Sequence, residues 1–430
     1  MKRKVVWSIF GGMLLLLLVA CTTFEQDPLP TLVPVLELPD STPTSAPDLV
    51  ETVQSTPEAT SETEIASEPS ELLVTDAATT SVDPGGAMAY INSIGAGLFL
   101  VRPDNSAQTQ YYALENVERL LSVSFNGARV ALISNGRLFV ARTDGSGLTE
   151  ITAVATPSWL TWSPVRDEFA VIDNGDLVVV QADSNNRILV ASNMQLADIP
   201  GSVAWSPDGS ELLFTCGAQA TDLCRVARDG GSAVINVTNN GADSFAWYRE
   251  PAWSPNGSQI SYVSPDEDKN LQLYVMNVDG SGVRQLTIGA GQSSLHHWSP
   301  DGEWIAYAHF ADSIWHALVV RPDGSEMVEL SANLPALAAV VPQWDVAGEQ
   351  VSLLYTVDAA VNNVSIALVA LDGTAVTPIT DNGWQLQWSP SGQQLAYIAG
   401  DAQIYVQAPS SDTPFIISCE DGCESFIWLP

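Results

Sequence analysis

Positive charge is scarce in this 430-residue chain: 16 Lys+Arg stand against 50 Asp+Glu, a formal net charge of −34. Such a surface repels phosphate, which disfavours nucleic acid and anionic lipid as partners and favours solubility and cationic ones. Histidine is scarcer still. There are four, and His296, His297, His309 and His316 all fall in one short stretch. No Gly-x-Ser-x-Gly, His-Glu-x-x-His or Gly-x-x-x-x-Gly-Lys occurs. That removes the serine-hydrolase elbow, the zinc-peptidase helix and the phosphate-binding loop. No stretch repeats its apolar residues every 3.6 positions, so helices are expected to be minor.

The N-terminus reads as an address. Lys2-Arg3-Lys4 precede an apolar run, Leu14–Ala20, which is short for a membrane span. Leu18-Val19-Ala20-Cys21 is similar to a bacterial lipobox, so residues 1–20 are expected to be a lipoprotein signal peptide and Cys21 the lipid anchor. Residues 22–84 hold no Lys or Arg and are dominated by Pro, Ser, Thr and Glu. Residues 21–84 are therefore expected to be a disordered tether, with a root-mean-square span of ~45 Å.

From about residue 85 the composition changes to short runs rich in Val, Ile, Leu, Ala, Trp and Tyr. A motif recurs at Trp162-Ser-Pro, Trp205-Ser-Pro-Asp-Gly209, Trp253-Ser-Pro-Asn-Gly257, Trp298-Ser-Pro-Asp-Gly302 and Trp388-Ser-Pro-Ser-Gly392. Degenerate copies start at Val123, Trp344 and Trp428. The period, between 39 and 48 residues, is that of a propeller or another repeat array. Pro presets φ in the turn, Ser bonds the turn backbone, Gly accepts positive φ, and Trp supplies a large apolar face. An apolar run follows each turn. A second run then ends at a hairpin signal such as Asp144-Gly145, Asp279-Gly280 or Asp323-Gly324, and a short Leu286-Thr287-like run closes the unit. Four strands per unit make a propeller blade.

This pattern, most closely in 271–287, resembles the PD40 (WD40-like) repeat of the TolB propeller family. The resemblance covers about 86–430 and implies an all-β propeller without naming a function. Runs at Ala87–Ile91, Gly97–Val101 and Gln108–Leu114 read as a blade lacking its first strand, and Glu424–Leu429 as a first strand lacking its blade. Joined, they close a ring of eight four-stranded blades over 85–430, leaving no open edge. Seven is the alternative count, because the units at 123 and 162 are short.

Export and an even number of cysteines beyond Cys21 predict two local disulfides, Cys216–Cys224 and Cys419–Cys423. A binding face is expected at the end that carries the loops entering each blade and the loops joining its second and third strands. Candidates there are His296 and His309, the latter placed in the loop after a second strand, with Asp312, Asp266, Trp247, Tyr248 and Arg249. The histidines with Asp312 or Asp266 are also the residue types of a divalent-cation site. Some propellers similar to this one are metal-dependent lyases of uronic-acid oligosaccharides, which stands as the alternative. Against it, the four histidines lie in one blade. The expectation is a monomeric, lipid-anchored extracytoplasmic binding protein for a protein or envelope polymer. It is expected to have no catalytic residues, metal or cofactor.

Overall fold

The computed structural model describes residues 86–102, 108–157, 159–192, 202–217, 222–239, 248–335, 338–357, 364–411, 413–419 and 421–430. The expected signal peptide, Cys21, the tether and Trp247 lie outside them. The described residues form 32 strands and one 3-10 turn, Ser331–Asn333. No helix among them is long and apolar enough to cross a membrane.

The strands make eight antiparallel blades in a ring, an eight-bladed β-propeller. Numbered from the composite blade 1, the inner strands are Cys423–Leu429, Val117–Val123, Thr161–Trp162, Val203–Trp205, Arg249–Trp253, Gln292–Trp298, Ala338–Trp344 and Gly383–Trp388. The short units at 123 and 162 are full blades, which rules out the count of seven. Blades 6 and 7 are further joined by one parallel pair, Trp315 beside Ala338.

The ring closes as the sequence indicated. Cys423–Leu429 pairs antiparallel with Ala87–Asn92, with Trp428 beside Met88 and Phe426 beside Tyr90. Leu98–Val101 and Gln108–Tyr112 complete that blade. At the next seam, Gly127 has φ +67°, and a Cβ there would lie 2.8 Å from the carbonyl oxygen of Pro430.

Most turns of the repeat are self-contained polar frames, the copy at Trp162 excepted, where the Glu168 N–H turns to the Arg166 carbonyl. The Ser206 hydroxyl donates to Asp208 Oδ1 at 2.7 Å and accepts the Glu211 N–H at 2.9 Å. The Ser206 carbonyl takes the Gly209 N–H at 2.8 Å. Ser124, Ser254, Ser299 and Ser389 accept the corresponding N–H. In the degenerate copy at 344, Asp345 Oδ1 does this instead, for both Glu349 and Gln350. The carboxylate thus preserves the turn where the serine is missing.

The core is divided into eight clusters, one at each seam between neighbouring blades. Both faces of a blade are therefore buried, which is why the second and third strands read as continuous apolar runs such as Arg129–Ser134 and Asp176–Gln181.

Candidate functional site

The inner strands of blades 5 to 8 share an irregularity at the same place, marked in the sequence by a proline in only two of them, Pro251 and Pro342. In blades 5 to 8 the register with the second strand shifts at Arg249/Ala252, Ser294/His297, Val340/Gln343 and Trp384/Gln387. Glu250, Leu295 and Gln385, each three residues before the blade's Trp, have φ of +53°, +56° and +55°. A bulge of this kind re-aims side chains and leaves a backbone N–H without its ladder partner. Neighbouring blades meet the need. The Glu250 carboxylate accepts the Leu295 N–H at 2.6 Å and the Ser294 hydroxyl at 2.7 Å. Gln385 Nε2 donates to the Phe426 carbonyl at 2.9 Å.

His296 stands beside this acid. Its side chain is fully buried, with Nδ1 3.6 Å from Glu250 Oε2. Burial would raise the Glu250 carboxyl, but His296, Ser294 and the Leu295 N–H together hold it below the usual carboxylate range. The next ring, His297, reaches solvent but is crowded by protein. Desolvation and the adjacent His296 push it down to about 4, against the opposing pull of Glu250.

His309 is not in a loop. It lies inside the strand Ile305–Ala311, cross-paired with Ser293 on one side and His316 on the other. Its Nδ1 is 3.1 Å from Ser293 Oγ, and its ring also bonds the Ala290 backbone. Desolvation and His316 lower its basicity. Asp266 is likewise committed. It accepts the Asn270 N–H at 2.9 Å and Gln272 Nε2 at 3.3 Å, closing its own loop. Asp312 is an exposed hairpin residue with φ +52°. Tyr248 is 7% exposed and packs on Tyr262, 5.1 Å between ring centres, so it is core and does not present a face to solvent. Arg249 is exposed.

The candidates are thus not gathered at one point. Among the described residues, no three of His, Cys, Asp and Glu lie close enough to hold a metal ion. His296 meets Glu250, whereas His309 is held by Ser293 and the Ala290 backbone, and the Asp266 and Glu250 carboxylates accept the Asn270 and Leu295 N–H groups.

What the structure does bring together is a buried polar chain. Gln272 bonds Asp266, the Thr287 hydroxyl donates to Gln272 Oε1 at 2.6 Å, Thr287 and Ser293 hydroxyls meet at 3.1 Å, and Ser293 reaches His309. Gln272, Thr287 and Ser293 are at most 3% exposed. This chain fastens the loop 286–291 that enters blade 6. Gln272 Nε2 donates to the Gly289 carbonyl at 2.8 Å, and Gln285 Nε2 donates to that of Thr287 at 2.8 Å. Gly291, at φ +133°, has no room for a side chain, because a Cβ would lie 2.5 Å from the Phe310 carbonyl and 2.7 Å from His309 Nε2. On this anchored loop Ile288 is 84% exposed. Its signal in the sequence is the Ile that follows Leu286-Thr287 before Gly289, an apolar residue where a polar loop is the rule.

The four cysteines among the described residues are paired. Cys216–Cys224 have Cα atoms 5.8 Å apart and Cys419–Cys423 5.5 Å apart. Cys224 lies within the strand Asp222–Ala227, opposite Phe214, so the first bridge runs diagonally across the hairpin. The second spans the step from the outer strand of blade 8 to the closing strand of blade 1.

The description TolB beta propeller domain matches residues 119–387, more than half of the chain. The chain belongs to the TolB beta-propeller family. An uncharacterized protein of Agrobacterium fabrum is 28% identical to this TolB-family chain over 158 residues, 34% of this chain and 53% of that protein. Dipeptidyl-peptidase 5 of Porphyromonas endodontalis is 28% identical over 144 residues, 31% of this chain and 20% of the peptidase. The match spans about half the length of the first relative and a fifth of the second. A solved dihydro-heme d1 dehydrogenase aligns with TM-score 0.56 at 11% identity, covering 82% of this chain and 76% of that one. A eukaryotic initiation factor aligns with TM-score 0.55 at 12% identity, covering 80% and 98%. At such identities the likeness to these structures is one of fold alone.

Proposed function

We propose that this TolB-family propeller is a non-catalytic recognition module of the cell envelope, lipid-anchored through Cys21 outside the cytoplasm and monomeric. Its loop-bearing end takes a protein or envelope polymer. The observation that supports the reading is Ile288, 84% exposed on a loop whose backbone is fixed from beneath by Gln272, Gln285 and His309. A large apolar side chain held out by a rigid scaffold loses little conformational freedom on contact, so its burial against a partner is gained at low entropic cost. Exposed Arg249 adds a cationic contact to an otherwise acidic protein.

The test is capture from envelope extract by the full chain carrying Cys21→Ala, with calcium or with chelator, beside the same chain carrying Ile288→Asp. A partner retained by the first and lost from the second supports the reading. A partner held equally by both removes Ile288 from the site. Turnover of a uronic-acid oligosaccharide, with no partner captured, replaces recognition by lyase chemistry.

A further inference from the structure

The pair His296 and Glu250 has a role that neither recognition by the loop end nor the ring architecture requires. The residue two before the Trp of the inner strand is buried in blades 5 to 8, and three of the four are apolar: Pro251, Pro342 and Leu386. Only blade 6 places an imidazole there. His296 is 4% exposed, and neither ring nitrogen has a hydrogen-bond partner. An apolar side chain evidently fills this position in the sister blades, and a buried polar ring without partners costs stability. Among the described residues the group placed to offset that cost is Glu250, which belongs to the neighbouring blade and is pinned by Ser294 and the Leu295 N–H.

We propose that His296 and Glu250 form a proton-operated latch across the seam between blades 5 and 6. With the ring neutral, one nitrogen carries a proton and the other a lone pair, and the contact with Glu250 has no charge to strengthen it. With the ring protonated, both nitrogens are donors and the ring pairs with the carboxylate beside it. The acceptor is ready in advance, because Glu250 stays ionised below the usual carboxylate range. Among the described residues, the charged or titratable neighbours along the two strands are His297, pushed down to about 4, and Arg249 beside Glu250. The sign follows from linkage. A latch that binds a proton in the folded state adds stability on the acid side and loses it as pH rises.

Thermal unfolding of the full chain, His296→Leu, Glu250→Gln and the double variant is compared from pH 8 to pH 5. The lead of the parent over His296→Leu is expected to widen by about 2–4 °C as pH falls, the shift expected from one moderate interaction in a domain of this size. In the Glu250→Gln background the same substitution is expected to show no such widening. A lead that is flat or shrinks on acidification overturns the latch, and so does one that widens equally without Glu250. Should His296→Leu not fold, imidazole proton resonances of the parent and Glu250→Gln carry the test, with His296 assigned by replacing the other three histidines. The latch predicts that the His296 resonance titrates at lower pH once Glu250 is Gln; an unmoved titration overturns it. Failure of this pair leaves the reading of Ile288 untouched, since the readouts differ.

Discussion

Trp344 donates its indole N–H to the backbone carbonyl of His297 in the preceding blade, at 2.9 Å. The same bond joins Trp205 to Thr161 at 3.0 Å and Trp428 to Gln387 at 3.3 Å. Trp298 reaches the Ser261 hydroxyl at 2.8 Å, which in turn donates to the Ala252 carbonyl at 3.5 Å, so a serine is inserted into an otherwise identical link. Trp162, Trp253 and Trp388 contribute their rings to the seams with the indole N–H unbonded, whereas in these four copies the Trp of the repeat bonds one blade to the one before it. Trp428 does this at the seam before the composite blade, where it is 4% exposed. Trp428→Ala is expected to cost about 3–5 kcal/mol, the range for emptying a large aromatic site. Trp428→Phe, which keeps most of the apolar volume, is expected to cost clearly less. Urea unfolding at equilibrium measures both. Equal stability of parent and Trp428→Ala would contradict closure through this strand.

Arg228 and Glu168 tie blade 4 to blade 3. Arg228 Nη1 lies 2.8 and 2.7 Å from the two carboxylate oxygens, and the Glu168 side chain is only 4% exposed. Removing the cation leaves a buried carboxylate without its counter-charge. Arg228→Ala is therefore expected to cost about 3–5 kcal/mol, and the double change Arg228→Met with Glu168→Leu to recover most of it. Denaturant midpoints of the single and double variants test this. A single variant as stable as the parent would show that solvent reaches Glu168.

Much of this fold is legible because the repeat writes its own geometry. Ser206, Asp208 and Gly209 make the turn whose residue types predict it, and Trp428 beside Met88 is the closure implied by the unpaired runs at the two ends. The site was less legible for a physical reason. His309 looked like a loop residue because polar residues commonly mark loops, yet its polarity is consumed by Ser293 and the Ala290 backbone. Glu250 gave no signal, since a bulge at a non-glycine residue depends on the neighbouring blade supplying and accepting its hydrogen bonds. Long-range pairing of this kind has no sequence spacing to betray it. Ile288 was visible in the sequence, but its exposure follows from the anchoring by Gln272 and Gln285.

The two disulfides differ in what they hold. Cys216–Cys224 staples one hairpin, while Cys419–Cys423 fixes the entry of the closing strand. Closing loops of this size is worth about 2–3 kcal/mol each in the chain-entropy view. Replacing Cys216 and Cys224 together by Ser is expected to lower stability by that amount and leave the ring closed. The Cys419/Cys423 double replacement is expected in addition to speed hydrogen exchange in 423–429 relative to the inner strands of other blades. Mass-resolved exchange reads this directly, and uniform protection in both variants would mean that the second bridge does not secure the seam.

His297 predicts an acid response of the opposite sign to that of the His296 latch. Its folded value, about 4, lies below the 6.5 of an unconstrained imidazole, chiefly through desolvation. The unfolded chain therefore binds a proton that the folded chain refuses, and stability present above pH 6.5 is lost as pH falls toward 4. His309, also lowered by desolvation and by His316, adds to the same loss. His297→Asn removes the first contribution while leaving the backbone carbonyl that Trp344 uses. The variant is expected to match the parent near neutral pH and to lose stability less steeply between pH 6.5 and 4, with His297→Asn/His309→Gln flatter still. Denaturant midpoints against pH decide it. Parallel curves for parent and His297→Asn would show that this ring takes its proton as readily in the folded chain as in the unfolded one.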